Sequence, residues 1–232
     1  MGSMEVLTVE PTGRIVLLTV CSGSMDALSF LELGHVFTSA MTGNTVLLGL
    51  AMGQGLFLDA SRSATALGGF LLGVVIATWT MYDADWNVDW PPSVTTVFTI
   101  EMVLLGAFWL DRLWFGLHMS YGLYSLIALA AVAMGMQSAA VRQLDVPGIM
   151  TTFLTGTLTS LLGGLIHSTL RQSAPPSPVT RQAVVYLTYL GSVMGAGFLM
   201  SRDLAAAAAI PFCTVLMVVA WAHRMARMRG NG

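Results

Sequence analysis

The sequence carries very little charge and contains no lysine. Charged residues make up 9% of its 232 positions, whereas a soluble domain carries about 25%. All 10 basic residues are arginines, and 55% of the chain is hydrophobic. A chain with so few charges cannot cover a water-facing surface in the usual way. The composition therefore excludes an ordinary soluble domain, indicates an integral membrane protein, and offers no basic patch for a nucleic acid.

Cysteines and enzyme motifs are equally scarce. The two cysteines, Cys21 and Cys213, both lie in apolar runs, where cysteine behaves as a small hydrophobic residue. We therefore expect no disulfide, no metal site and no cofactor. The sequence has no His-Glu-x-x-His, Gly-x-Ser-x-Gly or Walker motif, so we do not expect an enzyme.

Long apolar segments, by contrast, fill most of the chain. A helix that crosses a membrane needs about 20 mostly apolar residues. This criterion predicts an all-α fold, a polytopic transmembrane helix bundle with about eight membrane segments and at least six. The second segment is short and follows "LELGH" with almost no loop, so it can also be half of a broken helix. The segments cover residues 15–34, 36–53, 63–82, 94–110, 115–141, 148–167, 182–200 and 204–223.

The arginines predict how the chain is oriented, because cytoplasmic loops are rich in basic residues. If all eight segments cross the membrane and the N-terminus is cytoplasmic, only Arg142 and Arg202 fall outside. The opposite face then receives the acidic loop "YDADWNVDWPP". This distribution predicts that both termini are cytoplasmic and that Arg14 and the acidic loop lie on opposite faces.

A hydroxyl-rich segment occurs twice. "FTSAMTGNTVLLG" at Phe37–Gly49 resembles "MTTFLTGTLTSLL" at Met150–Leu162, with Thr42 and Thr155 113 positions apart (155 minus 42). The chain therefore reads as one membrane domain, 1–232, built from two related halves, about 14–113 and 114–225. The paired residues are Thr38 and Thr151, Thr42 and Thr155, Gly43 and Gly156, and Asn44 and Thr157.

Two questions about these halves stay open from the sequence. Four crossings in each half would make the halves parallel, whereas one re-entrant segment in each would make them inverted. Threonines three or four positions apart share one helix face, as Thr38, Thr42 and Thr45 do. Such a stripe can line a solute site, or it can simply let helices pack closely.

Charged residues inside the apolar segments are expensive and therefore informative. Asp26 and Glu101 lie within the first and fourth segments, where each can couple transport to protons or bond to a neighbouring helix. Glu32 and Asp145 precede the two hydroxyl-rich segments, where acids also cap helices. Arg142 can pair with Asp145 or present its charge to an anionic solute.

Two blocks of the sequence resemble the YoaK-like family of bacterial membrane proteins, a domain of unknown function. The blocks are "GSMDALSFLELGHVFTSAMTGNTVLLGLA" and "AMGMQSAAVRQLDVPGIMTTFLTGTLTSL", and the similarity covers about residues 14–225. The resemblance implies a multi-span protein of the bacterial inner membrane, often described as a permease, and it implies no substrate. The matching residues are Asp26-Ala27, Thr42-Gly43-Asn44, Gln137 and Thr151-Thr152-Phe153-Leu154-Thr155-Gly156-Thr157.

We therefore expect a small-solute secondary transporter or permease in the lipid bilayer, with its site between the two repeats. Proton coupling and assembly into a homo-oligomer are both compatible with the sequence. The alternative is a structural or regulatory membrane subunit whose Thr and Gly motifs only pack helices. The expected solute-contacting residues are Asp26, Thr42, Gly43, Asn44, Gln137, Thr151, Thr155, Gly156 and Thr157. The coupling or charge-pair candidates are Glu32, Glu101, Arg142 and Asp145.

Overall fold

The computed structural model describes residues 3–114, 120–144, 154–171, 177–202 and 205–230, with side chains for 13–113, 122–144, 155–171, 178–202 and 207–228. All regular structure within these ranges is helical, as the composition predicts. A short 3₁₀ turn at Ala205–Ala208 precedes the last helix. The α-helices are α1 (Ser3–Glu32), α2 (Met41–Gln54), α3 (Phe57–Thr80), α4 (Pro92–Trp114), α5 (Ser120–Gln143), α6 (Leu154–Leu170), α7 (Ser177–Ser201) and α8 (Ala209–Gly230).

Six of these helices are long and apolar enough to cross a membrane: α1, α3, α4, α5, α7 and α8. The other two are shorter. Helix α2 has 14 residues and α6 has 17, which correspond to axial lengths of about 21 and 26 Å. The hydrocarbon core of a bilayer is about 30 Å thick. Within the described ranges the chain is therefore a bundle of six candidate spans with two shorter helices, at the lower end of the predicted range.

Contacts at the helix ends define two faces of the bundle. The Arg14 guanidinium lies over the rings of Trp90 and Trp221, 4.9 and 4.0 Å from their centroids. At the other end of α1, Arg112 donates to Glu32 through Nε, at 2.6 Å from Oε2, and through NH2 to Oε1. We call these the Trp90 face and the Arg112 face. The membrane spans of α1 and α4 thus start together at the Trp90 face and end together at the Arg112 face, so these two helices are parallel.

Other contacts fix the directions of the remaining spans. The Ser61 and Tyr124 hydroxyls lie 2.7 Å apart, which places the starts of α3 and α5 together. Ile15 packs against Val185, so α7 begins near the start of α1. Helices α1, α4 and α7 therefore run from the Trp90 face to the Arg112 face, and α3, α5 and α8 return.

This path corrects one expectation from the sequence. Eight crossings would put the acidic loop, residues 81–91, on the face opposite Arg14. Instead Trp90, at the end of that loop, contacts Arg14 directly. The prediction was wrong because α2 does not carry the chain across the bundle, so α3, α4 and α5 run opposite to the predicted directions. Helix α6 does not cross either, so α7 and α8 keep the predicted directions.

The α2 segment fails to cross because the chain turns back after α1. Gly34 and His35 have φ angles of +80° and +63°, a left-handed conformation that non-glycine residues adopt uncommonly. The turn brings the amides of Thr38 and Ser39 level with Asp26, about 9 Å before the end of α1 along its axis. Helix α2 therefore starts inside the bundle and leads back to α3 at the Arg112 face.

The most extensive helix contact joins α3 to α5 and depends on small residues. A Cβ atom placed on Gly73 would lie 2.1 Å from the carbonyl oxygen of Val132, and one on Gly135 would lie 2.1 Å from the carbonyl oxygen of Phe70. Only glycine permits backbones to approach so closely, which is the usual role of small residues between membrane helices. Gly73 of α3 and Gly135 of α5 therefore serve the packing of these two helices.

Candidate functional site

Asp26 is buried, with 2% of its surface exposed, and both of its carboxylate oxygens accept hydrogen bonds from the protein. Oδ1 accepts from the backbone amides of Thr38 and Ser39, at 2.9 and 2.8 Å. Oδ2 accepts from the Ser39 hydroxyl at 2.5 Å and from the Tyr189 hydroxyl at 2.7 Å. Four donors satisfy an ionised carboxylate without a cation. Asp26 therefore joins α1 by hydrogen bonds both to the turn that follows it and to α7.

Asn44 holds the same turn from the other side. Its side chain is fully buried and bonds twice to the backbone of Phe37, accepting from the amide at 2.9 Å and donating to the carbonyl at 2.5 Å. Gly43 leaves room for the Phe37 ring, because a Cβ atom there would lie 2.8 Å from the ring carbon Cδ2. The Thr-Gly-Asn motif thus shapes the backbone turn through its last two residues.

The threonines of the first hydroxyl-rich segment do not form one lining surface. Thr38 is buried, and its hydroxyl lies 3.5 Å from that of Ser29. Thr42 and Thr45 are exposed on the outer side of α2. The Thr45 hydroxyl donates to the carbonyl of Met41 at 3.0 Å, a bond within the helix that makes threonine tolerable in lipid.

The second hydroxyl-rich segment is similar where the structure describes it. Thr155 and Gly156 are exposed on α6, whereas Thr157, at the position paired with Asn44, is buried. The Thr159 hydroxyl donates to the carbonyl of Thr155 at 2.9 Å. Thr151 and Asp145 lie outside the described residues.

The two hydroxyl-rich helices are not brought together. Helix α2 packs against α3, and α6 packs against α7. Within the described ranges, α2 and α6 share no contact. Whether residues of α2 and α6 line one solute site between the two halves stays a prediction.

Glu101 has very different surroundings from Asp26. It lies near the middle of the span Pro92–Leu113 and has no exposed surface. Its Oε1 atom lies 3.9 Å from the thiol sulfur of Cys21, and its Oε2 atom is buried without a hydrogen-bond partner. The structure therefore places Glu101 in the centre of the bundle.

Gln137 reaches the same face of α1 one turn away. Its amide nitrogen donates to the carbonyl of Leu18 at 3.0 Å, while its Oε1 atom is buried without a partner. Thr214, on α8, lies beside the Cys21 side chain, and its hydroxyl donates to the carbonyl of Pro211 at 2.8 Å. The helices α1, α4, α5 and α8 therefore enclose a second group of polar side chains, which we call the Glu101 cluster: Cys21, Glu101, Gln137 and Thr214.

The remaining charge-pair candidates lie at helix ends. Glu32 pairs with Arg112 and joins α1 to α4, so it acts as an ion-pair partner across 80 positions of sequence. Arg142 is exposed at the end of α5. In the part of the chain that the structure describes, no three His, Cys, Asp or Glu side chains gather as metal ligands would.

Sequence reasoning missed several partners in these groups. Tyr189 bonds to Asp26 across 163 positions, and Arg112 bonds to Glu32 across 80. Cys21 reads as a small hydrophobic residue in its apolar run, yet its thiol faces Glu101. The sequence singles out the three acids, Asp26, Glu32 and Glu101. It carries no local signal for the residues that contact them, because those residues lie far away in the chain.

These features define a polytopic, all-helical membrane protein with two buried carboxyl groups in its core. The chain belongs to the family described as "Protein of unknown function (DUF1275)", whose model matches residues 15–221. It is also 37% identical over 185 residues to the UPF0700 transmembrane protein YoaK of Bacillus subtilis (strain 168), covering 77% of this chain and 79% of that protein. No solved structure matches the chain.

Proposed function

We propose that this protein is a secondary transporter of a small solute, built from two halves of inverted orientation. The observation that carries the proposal is the direction of the six spans. In the first half α1 and α4 run from the Trp90 face to the Arg112 face and α3 returns. In the second half α5 and α8 run the opposite way and α7 returns. Three spans per half give two halves with opposite orientation.

The packing of the helices supports this inversion. Exchanging α1 with α5, α2 with α6, α3 with α7 and α4 with α8 turns each major helix contact into another one. The α1–α7 contact becomes α5–α3, the α2–α3 contact becomes α6–α7, and the α1–α8 contact becomes α5–α4. The α4–α8 contact becomes itself, so it lies on the approximate two-fold axis.

Inverted halves are typical of transporters in which one half rocks against the other and exposes a central site to each side in turn. Short or interrupted helices in corresponding positions are a further mark of that class, and α2 and α6 occupy such positions. We place the solute near the Glu101 cluster, since α4 and α8 meet on the approximate two-fold axis.

The arginines also support an orientation in the bacterial inner membrane. Following the six-span path, seven arginines lie on the Trp90 face and three on the Arg112 face, which are Arg62, Arg112 and Arg202. The positive-inside rule then makes the Trp90 face cytoplasmic, together with both termini. The acidic loop joins that face, which the rule permits because acids contribute little to it.

The test combines a stability screen with flux measurements. Protein in detergent is heated with amino acids, organic acids, sugars, amines and inorganic ions, since a solute that binds the folded state raises Tm by mass action. Solutes that raise Tm are then loaded into proteoliposomes for counterflow. We expect at least one class to raise Tm and to exchange faster than in protein-free liposomes.

The rival function is a structural or regulatory subunit, and one observation favours it. Four protein donors already occupy both oxygens of Asp26, and both amide atoms of Asn44 bond to the backbone of Phe37, so these side chains hold helices and a turn in place. If no solute class raises Tm and no flux exceeds that of protein-free liposomes, this second function replaces the first.

A further inference from the structure

The two buried carboxyl groups of the bundle differ in how they are neutralised. Asp26 receives four hydrogen bonds from amides and hydroxyls, which stabilise a negative charge. Glu101 receives at most one weak bond, from the Cys21 thiol at 3.9 Å, and its Oε2 atom has no partner. The bundle therefore contains one buried acid whose two oxygens both accept hydrogen bonds and one buried acid with almost no hydrogen-bond partner.

An ionised Glu101 would be costly in this setting. A buried charge needs a partner ion or several hydrogen bonds, and without them the group neutralises instead. The ion pairs Arg62–Asp59 and Arg112–Glu32 both lie near the Arg112 face, and neither involves Glu101. The cheapest way to neutralise Glu101 is a proton on the carboxyl group itself.

Among the described residues, the neighbouring helices place no cationic side chain against Glu101 that could balance an ionised carboxylate. Helix α1 turns the Cys21 thiol toward Glu101, and Asp26 lies further along the same helix. Helix α8 contributes Thr214 beside Cys21, and α5 contributes Gln137 one turn away. A bound hard cation such as Ca²⁺ takes about six to eight oxygen ligands, far more than these residues offer.

We infer that Glu101 is a proton-binding site in the centre of the bundle and the group through which transport is coupled to protons. The inference rests on the proposed function for its second part. When the halves rock and water reaches the cluster, the O–H bond of the carboxyl group breaks and the proton passes to water. The remaining carboxylate then takes a proton from the other side before the site closes again.

The first experiment reads the proton directly. Infrared spectra of the purified protein are recorded for the wild type, Glu101→Gln and the control Asp89→Asn, which changes an exposed acid. We expect the C=O band of a protonated carboxylic acid in the wild type and in the control, and its loss in Glu101→Gln. Because glutamine imitates the protonated acid in shape and charge, Glu101→Gln should keep the wild-type Tm at neutral pH. Absence of the band from the wild type would overturn the inference.

A second measurement separates a proton from a cation. Tm is compared in sodium and in N-methylglucamine buffers. We expect no difference between the two buffers for either protein. A sodium-dependent rise that Glu101→Gln removes would show an ionised carboxylate with a bound metal ion, and would overturn the proton site.

The flux assay separates this inference from the proposed function. We expect Glu101→Gln to abolish the pH dependence of solute flux in proteoliposomes. Flux with an unchanged pH dependence in Glu101→Gln would refute the coupling role and leave the transporter proposal standing. An infrared band without flux of any solute would refute the transporter proposal and leave the proton site standing.

Discussion

Replacing Tyr189 by phenylalanine removes one hydroxyl and nothing else from the contact between α1 and α7. That hydroxyl donates to Oδ2 of Asp26 at 2.7 Å, in a place where the carboxylate has 2% of its surface exposed. A hydrogen bond to a charged group contributes about 1.5–3 kcal/mol to the free energy of unfolding. We therefore expect Tyr189→Phe to lower that free energy by about 2 kcal/mol.

The partner variants give the expected scale of the effect. Asp26→Ala leaves the amides of Thr38 and Ser39 and two hydroxyls without an acceptor. Each buried donor left without an acceptor costs about 1 kcal/mol or more, so Asp26→Ala should lower the free energy of unfolding by at least ~4 kcal/mol and open the turn after α1. Asp26→Asn is milder, since its amide oxygen still accepts from the two backbone amides.

The assay is reversible unfolding in mixed micelles, analysed as a double-mutant cycle of Tyr189→Phe with Asp26→Asn. Contacting residues in one hydrogen-bond network interact by about 0.5–3 kcal/mol, so we expect the two changes to be non-additive. Tyr186→Phe is the matched control, because the described structure gives that hydroxyl no hydrogen bond and it lies one turn earlier on α7. If Tyr189→Phe behaves like Tyr186→Phe, or if the cycle is additive, the described tie between α1 and α7 is refuted.

Two further predictions concern the path of the chain and its packing. In a background whose exposed cysteine is replaced by serine, single cysteines at Asn87 and Arg227 should be equally protected from a membrane-impermeant maleimide in intact cells, whereas one at Gln54 should react. Opposite labelling of Asn87 and Arg227 would restore the eight-crossing path. Gly73→Ala should lower the free energy of unfolding by about 1–3 kcal/mol, because its Cβ atom would lie 2.1 Å from a carbonyl oxygen of α5. Gly68→Ala, in open space, should be neutral or raise it by up to about 1 kcal/mol, and equal Tm values for the two variants would contradict the packing.

Much of the architecture could be predicted from the sequence because lipid imposes simple rules. Apolar segments of about 20 residues must become helices there, since no water is present to bond an open backbone. Thr45 and Thr159 obey the same rule, because each hydroxyl donates to the carbonyl four residues earlier and so keeps a partner in lipid. These features depend only on nearby residues, so composition and spacing were enough.

The candidate site was harder to predict, because the role of each acid depends on partners that lie far away in the chain. Asp26 and Glu101 are both costly inside a membrane, and the sequence predicts solute contact for the first and coupling or charge pairing for the second. Their environments differ because α7 and the turn at Thr38 supply hydrogen bonds to Asp26, whereas Glu101 meets the Cys21 thiol.

The sequence by itself determined the class of protein, the helical segments and the presence of two acids within them. Only the tertiary structure decided that α2 turns back, that the acidic loop shares a face with Arg14, and that α2 and α6 stay apart. The physical reason is the same in each case. A short apolar segment can cross or return, and the choice is made by the hydrogen bonds of Asp26 and Asn44 to a turn that no periodicity reveals.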